Sequence, residues 1–403
     1  MYDNVMAIVL NELAKNCLTC PNARCAAHCP CGNDIPAIIG AIKAGDEALA
    51  ATILHRTNPF PELTSRYCDH LRQCRGNCIR GIKGEPVDFP AMEKELSIRF
   101  PKHIEPGPNN GKRVVIIGAG PASLSAASFL IEAGFAVKII EKEASLGGAL
   151  LTGIPFFRFD IGLLKSIEDR LIQAGVDFEF NHEVNEEEIV SLTKEFDIVA
   201  LAIGAEKENR LQAPDCPDIR SALPLLREFN FTKRMDSLSG KQNIVVMGGG
   251  NVAMDVSRAL RHIGKNVTLI YRRDEASMPA QKAEIADAKV DGVVFQPLTN
   301  VDGYRLDEEG RLKALSLVSM GLGPLDESGR PSFFAIEGSS REFACDAFVM
   351  AIGEKPNVDA LIPPARRQEL GNVYLIGDCA TGAKNIATAI SQGREFVKSL
   401  LSD

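Results

Sequence analysis

The chain has 403 residues, of which 45% are hydrophobic and 24% are charged, the proportions of a soluble globular protein and not of a disordered or fibrous one. Its length predicts about two or three domains. The net charge of −8, without any run of Lys or Arg, argues against a nucleic-acid-binding surface.

The amino-terminal segment MYDNVMAIVLNELAKNC has a short apolar stretch that is followed by Glu12 and Lys15. Such a stretch is too short for a signal peptide or a membrane span, so we expect no membrane association and a location in the cytoplasm. Structural disulfides are rare in that reducing compartment. The eleven cysteines of the chain therefore need another explanation.

Eight of the eleven cysteines lie in the first 78 residues, in two groups: Cys17, Cys20, Cys25, Cys29 and Cys31, then Cys68, Cys74 and Cys78. The segment between the groups, IPAIIGAIKAGDEALAATILHRT, repeats apolar residues at helical spacing around a Gly break and predicts two short helices. We therefore expect a small helical domain with cysteine-rich loops, which ends at the Pro/Gly/Asn-rich linker PKHIEPGPNNGK.

At residue 113 the pattern changes to a strand, a Gly-rich turn, a helix and a second strand, RVVIIGAGPASLSAASFLIEAGFAVKIIEK. Gly118 permits the tight bend, and Gly120 lets the backbone approach a pyrophosphate at the helix amino terminus. Ser123 replaces the third Gly, where only a small residue is needed. Glu141 ends the second strand and can accept hydrogen bonds from ribose hydroxyls, so this unit is predicted to bind a dinucleotide.

A second copy of the same unit begins at residue 243, NIVVMGGGNVAMDVSRALRHIGKNVTLIYRR. Its second strand ends in Arg272 and Arg273, where the first unit has Glu141. An Arg at this position can pair with a 2′-phosphate, which an acid would repel. The first unit thus favours an unphosphorylated ribose, as in FAD or NAD, and the second favours NADP. Solvated surface arginines in an NAD site remain the alternative.

Two similar apolar strands, DIVALAIGA from residue 197 and DAFVMAIGE from residue 346, close these units. The tail NVYLIGDCATGAKNIATAISQGREFVKSLL is most simply a return to the first unit. We predict a helical domain over residues 1–105, a first dinucleotide domain over 106–235 and 351–403, and a second one over 236–350, inserted within the first.

The cysteine run Cys17, Cys20, Cys25 and Cys29 followed by Pro30 is similar to the bacterial ferredoxin run, with a longer middle gap. Seven cysteines suit two iron–sulfur clusters with one ligand that is not cysteine. Structural zinc is the alternative, although its paired CxxC spacing occurs only once. A flavin between a nicotinamide and such clusters converts hydride transfer into single-electron transfer, so no catalytic side chain is required.

Taken together, the cysteine domain, GAGPAS, GIPFFRFD, GGGNVAMD, YRRDEASMPA and GDCATGA resemble the small (β) subunit of bacterial glutamate synthase and the equivalent portion of dihydropyrimidine dehydrogenase. The resemblance covers essentially the whole chain. It implies an α/β fold in which an N-terminal α-helical double-cluster iron–sulfur domain precedes two Rossmann-like dinucleotide-binding domains, with the NAD(P) domain inserted in the FAD domain.

The resemblance also implies ligands for two 4Fe-4S clusters. The first cluster would be bound by Cys17, Cys20, Cys25 and Cys78. The second would be bound by Cys29, Cys68, Cys74 and a polar side chain downstream, which alignment on GEP and VDFPAME places at Glu93 if one residue of gap is allowed. An exposed helical acid is the alternative for Glu93. Cys31 is left as a spare thiol.

The same resemblance implies the nucleotide contacts. FAD would contact Gly118, Ala119, Gly120, Pro121, Ala122, Glu141, Lys142, Gly148, Arg158, Val184, Gly377 and Asp378. The nicotinamide nucleotide would contact Gly249, Gly250, Asn251, Val252, Arg272, Arg273, Ala351, Ile352 and Gly353.

The expected function is an NAD(P)H-dependent oxidoreductase with FAD and two 4Fe-4S clusters, the electron-input subunit for a catalytic partner subunit or a ferredoxin-like acceptor. The alternatives are an NAD-dependent dihydropyrimidine dehydrogenase small subunit and a ferredoxin–NAD(P) transhydrogenase subunit. A thioredoxin-reductase-like disulfide reductase would need a CxxC near the flavin, and none occurs after residue 20. A non-enzymatic interaction subunit is disfavoured because both Gly-rich turns keep their chemistry.

Overall fold

The computed structural model describes residues 9–327 and 329–402, so residues 1–8 of the amino-terminal segment lie outside it. Six helices precede the first strand: α1 Leu10–Ala14, α2 Arg24–Ala27, α3 Ile35–Lys43, α4 Glu47–His55, α5 Pro61–Tyr67 and α6 Phe89–Arg99. The two predicted helices are α3 and α4, whose first turns are capped by Asp34 and Asp46. None of the described helices combines the length and apolar character needed to cross a membrane.

The next elements alternate strand and helix: β1 Arg113–Ile117, α7 Pro121–Glu132, β2 Ala136–Ile140, α8 Ala149–Thr152, α9 Gly162–Gln173, β3 Asp177–Glu179, α10 Glu186–Glu195 and β4 Ile198–Leu201. A second alternating series follows: β5 Lys207–Glu208, β6 Ile219–Ser221, α11 Ala222–Thr232, β7 Asn243–Met247, α12 Asn251–His262, β8 Asn266–Tyr271, α13 Lys282–Val290 and β9 Val294–Pro297.

An all-β stretch then leads to the carboxy-terminal helices. Its strands are β10 Thr299–Leu306, β11 Leu312–Leu325, β12 Pro331–Ala335, β13 Arg341–Ala344, β14 Ala347–Met350 and β15 Glu354–Lys355. The last elements are α14 Val358–Leu361, α15 Pro364–Leu370, β16 Val373–Leu375, α16 Asp378–Thr381 and α17 Ile386–Ser402. Short 3₁₀ turns occur at Ile79–Ile82, Asp236–Leu238 and Glu275–Ser277.

Two parallel sheets organise the nucleotide-binding part. The first has the order β16-β4-β1-β2-β3 and the second β6-β14-β7-β8-β9. Their central strands are buried over almost their whole length, as expected for sheets covered on both faces. The antiparallel strands β10 to β13 form a separate small sheet. The predicted α/β class, with helices first and two Rossmann-like sheets after them, is confirmed.

The chain divides into two compact units, one of residues 1–148, 161–205 and 356–403, and the other of residues 149–160 and 206–355. The inserted unit is larger than our prediction of 236–350, because β6 pairs with β14 and lies in the second sheet. The helical region shares the first unit with the first sheet. This grouping has a physical basis, since α17 packs on both α5 and α7.

Candidate functional site

The first glycine-rich turn lies between β1 and α7. Gly118 has a φ of +99°, and a Cβ added to it would lie 2.6 Å from the carbonyl oxygen of Ala202, so the bend requires glycine. A Cβ added to Gly120 would meet no atom within 4 Å. Gly120 is the N-cap of α7, and Pro121 is the first helical residue. The turn thus presents open space at the positive end of a helix, where a pyrophosphate binds favourably.

Glu141 is buried beside this turn. One carboxylate oxygen accepts a hydrogen bond from the Ala119 amide at 2.6 Å, and the other accepts one from the Glu143 amide at 2.9 Å. Burial raises the pKa of Glu141, while these two amides and the charge of Lys142 oppose the rise. Each oxygen keeps a lone pair for a ribose hydroxyl.

Two more predicted flavin contacts lie against the turn. A Cβ added to Gly148 would be 3.0 Å from the Cα of Gly120, and one added to Gly377 would be 2.8 Å from the Cβ of Ala122. Asp378 follows Gly377, and its carboxylate accepts a hydrogen bond from the Lys384 amide at 3.3 Å. Burial raises the pKa of Asp378.

Two predicted flavin contacts, Val184 and Arg158, are packed against protein side chains. The Val184 side chain is part of the apolar core of the first unit, beside Ile117 and Ile140. Arg158 belongs to the second unit, where its guanidinium pairs with Asp255 and, at 2.6 Å, with Glu284. Burial raises the pKa of Asp255 to about 6, against the charge of Arg158. The structure therefore gives Arg158 two carboxylate partners that spacing alone did not reveal.

The second glycine-rich turn, between β7 and α12, is more tightly packed. A Cβ added to Gly248 would lie 2.2 Å from the Ala351 carbonyl oxygen, which places Ala351 at this turn. Ile352 and Gly353 follow it in the chain, and the Gly353 carbonyl accepts a hydrogen bond from the Asn209 amide at 2.8 Å. A Cβ added to Gly249 would lie 2.6 Å from the Tyr271 ring. Tyr271 is a supporting residue that the sequence interpretation missed.

The amino terminus of α12 contains the other predicted contacts of this turn. Gly250 is the N-cap, and a Cβ added to it would meet no atom within 4 Å. Asn251 accepts a hydrogen bond from the Gln281 amide at 2.9 Å through its side-chain oxygen. Val252 is half-buried. The turn and helix end therefore leave room for a phosphate beside Gly250.

Arg272 and Arg273 have different environments. Arg273 is 3% exposed, and its guanidinium donates to Asp326 at 2.7 Å and to the Pro331 carbonyl at 2.5 Å. Arg272 is half-buried, with its guanidinium carbon 4.4 Å from the centre of the Phe333 ring. Its pKa is lowered by burial and then by the charge of Arg273, with a smaller contribution from Arg330. Of the two guanidinium groups, that of Arg272 is thus the more accessible.

Four of the predicted cluster ligands line one cavity of the helical region: Cys17, Cys20, Cys25 and Cys78. Burial raises the pKa of Cys25, and so does negative charge on Cys78 and Cys17. Backbone amides approach two of the sulfurs, since the Thr19 amide lies 3.5 Å from Cys17 Sγ and the Val87 amide 3.4 Å from Cys78 Sγ. Within the described ranges, no three His, Cys, Asp or Glu side chains are arranged to hold a single metal ion.

The remaining predicted ligands form a more buried set, called here the second set: Cys29, Cys68, Cys74 and Glu93. Burial raises the pKa of Cys68, and the charges of Cys29, Cys74, Glu93 and the spare thiol Cys31 raise it further. Cys74 also lines the cavity of the first four cysteines. The two sets are therefore neighbours.

Glu93 is 3% exposed, on the buried face of α6. Its Oε1 accepts three hydrogen bonds, from Thr64 at 2.8 Å, Asn58 at 3.1 Å and Asn33 at 3.5 Å. Burial raises the pKa of Glu93 to about 7, against these three donors. Among the described residues no donor reaches Oε2. The alternative for this position, an exposed helical acid, is therefore wrong.

The comparisons with known proteins agree with this geometry. Residues 112–393 match the pyridine nucleotide-disulphide oxidoreductase family, and residues 3–101 match the 4Fe-4S cluster domain II of dihydropyrimidine dehydrogenase. The glutamate synthase [NADPH] small chain of Halomonas elongata is 31% identical over 424 residues, which cover 96% of this chain and 89% of that protein.

A second relative is longer than this chain. The Escherichia coli oxidoreductase AegA is 32% identical over 427 residues, covering 96% of this chain but only 64% of its own length. Among solved structures, Mycobacterium tuberculosis FprA in complex with NADPH has a TM-score of 0.61 at 20% identity, over 72% of this chain and 85% of that one, which shows a shared fold. The chain therefore belongs to the pyridine nucleotide-disulphide oxidoreductase family, as an NAD(P)H-dependent flavin oxidoreductase whose amino-terminal region matches the 4Fe-4S cluster domain II of dihydropyrimidine dehydrogenase.

Proposed function

We propose that this chain is the electron-input subunit of a larger enzyme, in which NADPH is oxidised at FAD and electrons leave through two 4Fe-4S clusters. When bound, FAD accepts a hydride and releases electrons singly to the clusters. The observation that carries the proposal is the presence of two neighbouring ligand sets in the same compact unit as the first glycine-rich turn.

Four of the cysteines that line the cavity, Cys17, Cys20, Cys25 and Cys78, are called here the first set, and they fit a cluster. The four cysteines line one cavity, and Arg80, which lines the same cavity, has a buried Nε for which the described part of the chain offers no hydrogen-bond partner. A buried donor without a partner needs an explanation, and a cluster sulfur supplies an acceptor. We assign Cys17, Cys20, Cys25 and Cys78 to one cluster on this basis.

The second set fits a cluster with one carboxylate ligand. Three buried or half-buried thiols lie near Glu93, and its hydrogen bonds hold Oε1 while leaving Oε2 open. Asn33, Asn58 and Thr64 would then orient the ligand, as partners of metal ligands commonly do. We assign Cys29, Cys68, Cys74 and Glu93 to the second cluster.

The nucleotide assignments follow the two turns. In the first unit, the Gly118 to Ala122 backbone would bind the FAD pyrophosphate, Glu141 would accept from the ribose, and Gly148 and Gly377 would allow close approach. In the second unit, Gly249 to Val252 would bind the nicotinamide nucleotide. Arg272, supported by Arg330, favours the 2′-phosphate of NADP.

A partner chain is proposed as the destination of the electrons. The relative from Halomonas elongata is named as the small chain of an enzyme. Next to the first set, Leu18 is 59% exposed and Ile79 is 45% exposed, and exposed apolar side chains of this kind suit a docking surface. We also place the chain in the reducing cytoplasm, which keeps thiols available for cluster ligation.

To test the proposal, the full chain is purified anaerobically and analysed for iron, sulfide and flavin. Visible spectra are then recorded before and after addition of NADPH or NADH. We expect about eight irons and one FAD per chain, with faster bleaching by NADPH. Cys17→Ser should remove about half of the iron and keep the flavin. Cys216→Ser, at a buried cysteine of the second unit, is the matched control that keeps all the iron. Zinc in place of iron would contradict the proposal.

A further inference from the structure

Helix α17 connects the flavin turn with the second set. Its residue Ile390 accepts a hydrogen bond from the Ser125 hydroxyl of α7 at 2.7 Å. A Cβ added to Gly393 would lie 2.2 Å from the carbonyl oxygen of Ala122, so the two helices are in close contact. Because α7 begins at the first glycine-rich turn, α17 is fixed relative to the flavin site.

Arg394 extends from the same helix to the cysteine-rich loop. It is 7% exposed, and its Nη1 donates to the Cys31 carbonyl at 2.6 Å and to the Thr57 carbonyl at 2.7 Å. A Cβ added to Gly32 would lie 3.5 Å from Nη2. The guanidinium therefore lies against the loop of residues 29–33, which begins with the proposed ligand Cys29.

A chain of hydrogen bonds continues from Arg394 to the proposed carboxylate ligand. The Thr57 hydroxyl donates to the Asn33 side-chain oxygen at 2.7 Å, and the Asn33 amide group lies 3.5 Å from Glu93 Oε1. Arg394 is thus connected to two members of the second set. It reaches Cys29 through the backbone of the loop at Cys31, and it reaches Glu93 through Thr57 and Asn33.

The charge of Arg394 is only partly neutralised within its own helix. Among the residues that the structure describes, its one carboxylate partner is Glu395, at 2.9 Å, whose side chain is 54% exposed. A buried cation is unfavourable unless it has anionic partners. A cluster with thiolate and carboxylate ligands would provide the missing negative charge.

We propose that Arg394 is a positioning residue for the second cluster: it holds the loop of residues 29–33 against α17 and places a fixed positive charge there that raises the reduction potential of this cluster. The inference rests on the proposed function, because it requires a cluster at the second set. Nearby charge and hydrogen bonds set cluster potentials, so a loss of this cation should make the second cluster harder to reduce.

The test is a redox titration of the full chain, monitored by electron paramagnetic resonance, for wild type, Arg394→Gln and Arg394→Lys. Cys17→Ser, which lacks a first-cluster ligand, identifies the signal of the second cluster. In Arg394→Gln we expect a lower midpoint potential for the second cluster and an unchanged potential for the first. Arg394→Lys keeps the charge and should stay near the wild-type potential.

Lys398→Gln is the matched control, since it removes the same charge from an exposed position of the same helix and should change neither potential. An unchanged second-cluster potential in Arg394→Gln overturns the inference, even if thermal stability falls. If Arg394→Gln does not retain the second cluster, Arg394→Lys decides: a wild-type potential supports the inference and a lowered one overturns it. Wild-type protein with iron for fewer than two clusters overturns the proposed function, and this inference with it.

Discussion

The two glycine-rich turns share one backbone plan and differ in the residue that follows the second strand. In the first unit, Glu141 is buried, and its carboxylate accepts hydrogen bonds from two backbone amides. In the second, Arg273 is buried in an ion pair, and Arg272 remains half-buried above Phe333. In the proposed binding modes, the glycines therefore fix where a pyrophosphate binds, whereas the residue at the end of the second strand selects the ribose.

The largest effect should come from exchanging a glycine of either turn for alanine. Gly118→Ala places a Cβ 2.6 Å from a carbonyl oxygen of the first unit, and Gly248→Ala places one 2.2 Å from a carbonyl oxygen of the second. We expect the first variant to lose bound FAD. The second should keep FAD but be reduced by NADPH at least about tenfold more slowly, because the clash displaces only its own turn.

Flavin content and anaerobic stopped-flow reduction measure these two losses, and each variant is the control for the other. Photoreduction of the Gly248→Ala flavin should still occur, since it does not require NADPH. If both variants lost both functions equally, the assignment of separate nucleotides to the two turns would be wrong.

A smaller effect is expected from Arg273→Gln, which removes a buried guanidinium from an ion pair with the half-buried Asp326. Asp326 would lose its 2.7 Å partner, and the free energy of unfolding should fall by about 2 kcal/mol, less than for a fully buried pair because water screens the carboxylate. Urea unfolding followed by circular dichroism measures this change. Arg234→Gln is the control, because its ion pair with Asp236 is exposed and should contribute little. A stable Arg273→Gln variant with weaker NADPH binding would instead make Arg273 a nucleotide ligand.

Arg272→Gln tests the selectivity of the second turn. If Arg272 pairs with a 2′-phosphate, its loss should raise the KM for NADPH by about tenfold to a hundredfold and leave the KM for NADH almost unchanged. Steady-state reduction of ferricyanide measures both constants without a partner protein. Equal changes for the two nucleotides would show that Arg272 does not read the phosphate.

The strand, turn and helix order of both units could be predicted because it depends on local patterns: apolar strands, glycines and amphipathic helices. Glu93 was found from a resemblance and not from local pattern, and its burial among Asn33, Asn58 and Thr64 was not foreseen. Those partners come from distant parts of the chain, which periodicity does not relate.

For the same reason, the sequence did not reveal the ion-pair partners of Arg273 and Arg158. Arg272 and Arg273 are adjacent in sequence, but the first is half-buried and the second is buried, and the partner of Arg273 is 53 residues away. Arg158 lies within the motif GIPFFRFD, which does not reveal that its partners are Asp255 and Glu284, 97 and 126 residues further along the chain. Only tertiary structure decides which of several cations receives a carboxylate partner.

The smallest effect should come from Tyr271→Phe, which separates the two contributions of this side chain to the second turn. The hydroxyl donates to the Ser277 carbonyl at 3.1 Å, and its loss should reduce the free energy of unfolding by about 1 kcal/mol. The ring, which fills the space beside Gly249, is kept, so the Kd for NADPH should not change. Tyr271→Leu removes the ring and should weaken NADPH binding as well. If Tyr271→Phe alone weakened binding, the hydroxyl and not the ring would be the part that holds the turn in the shape that binds phosphate.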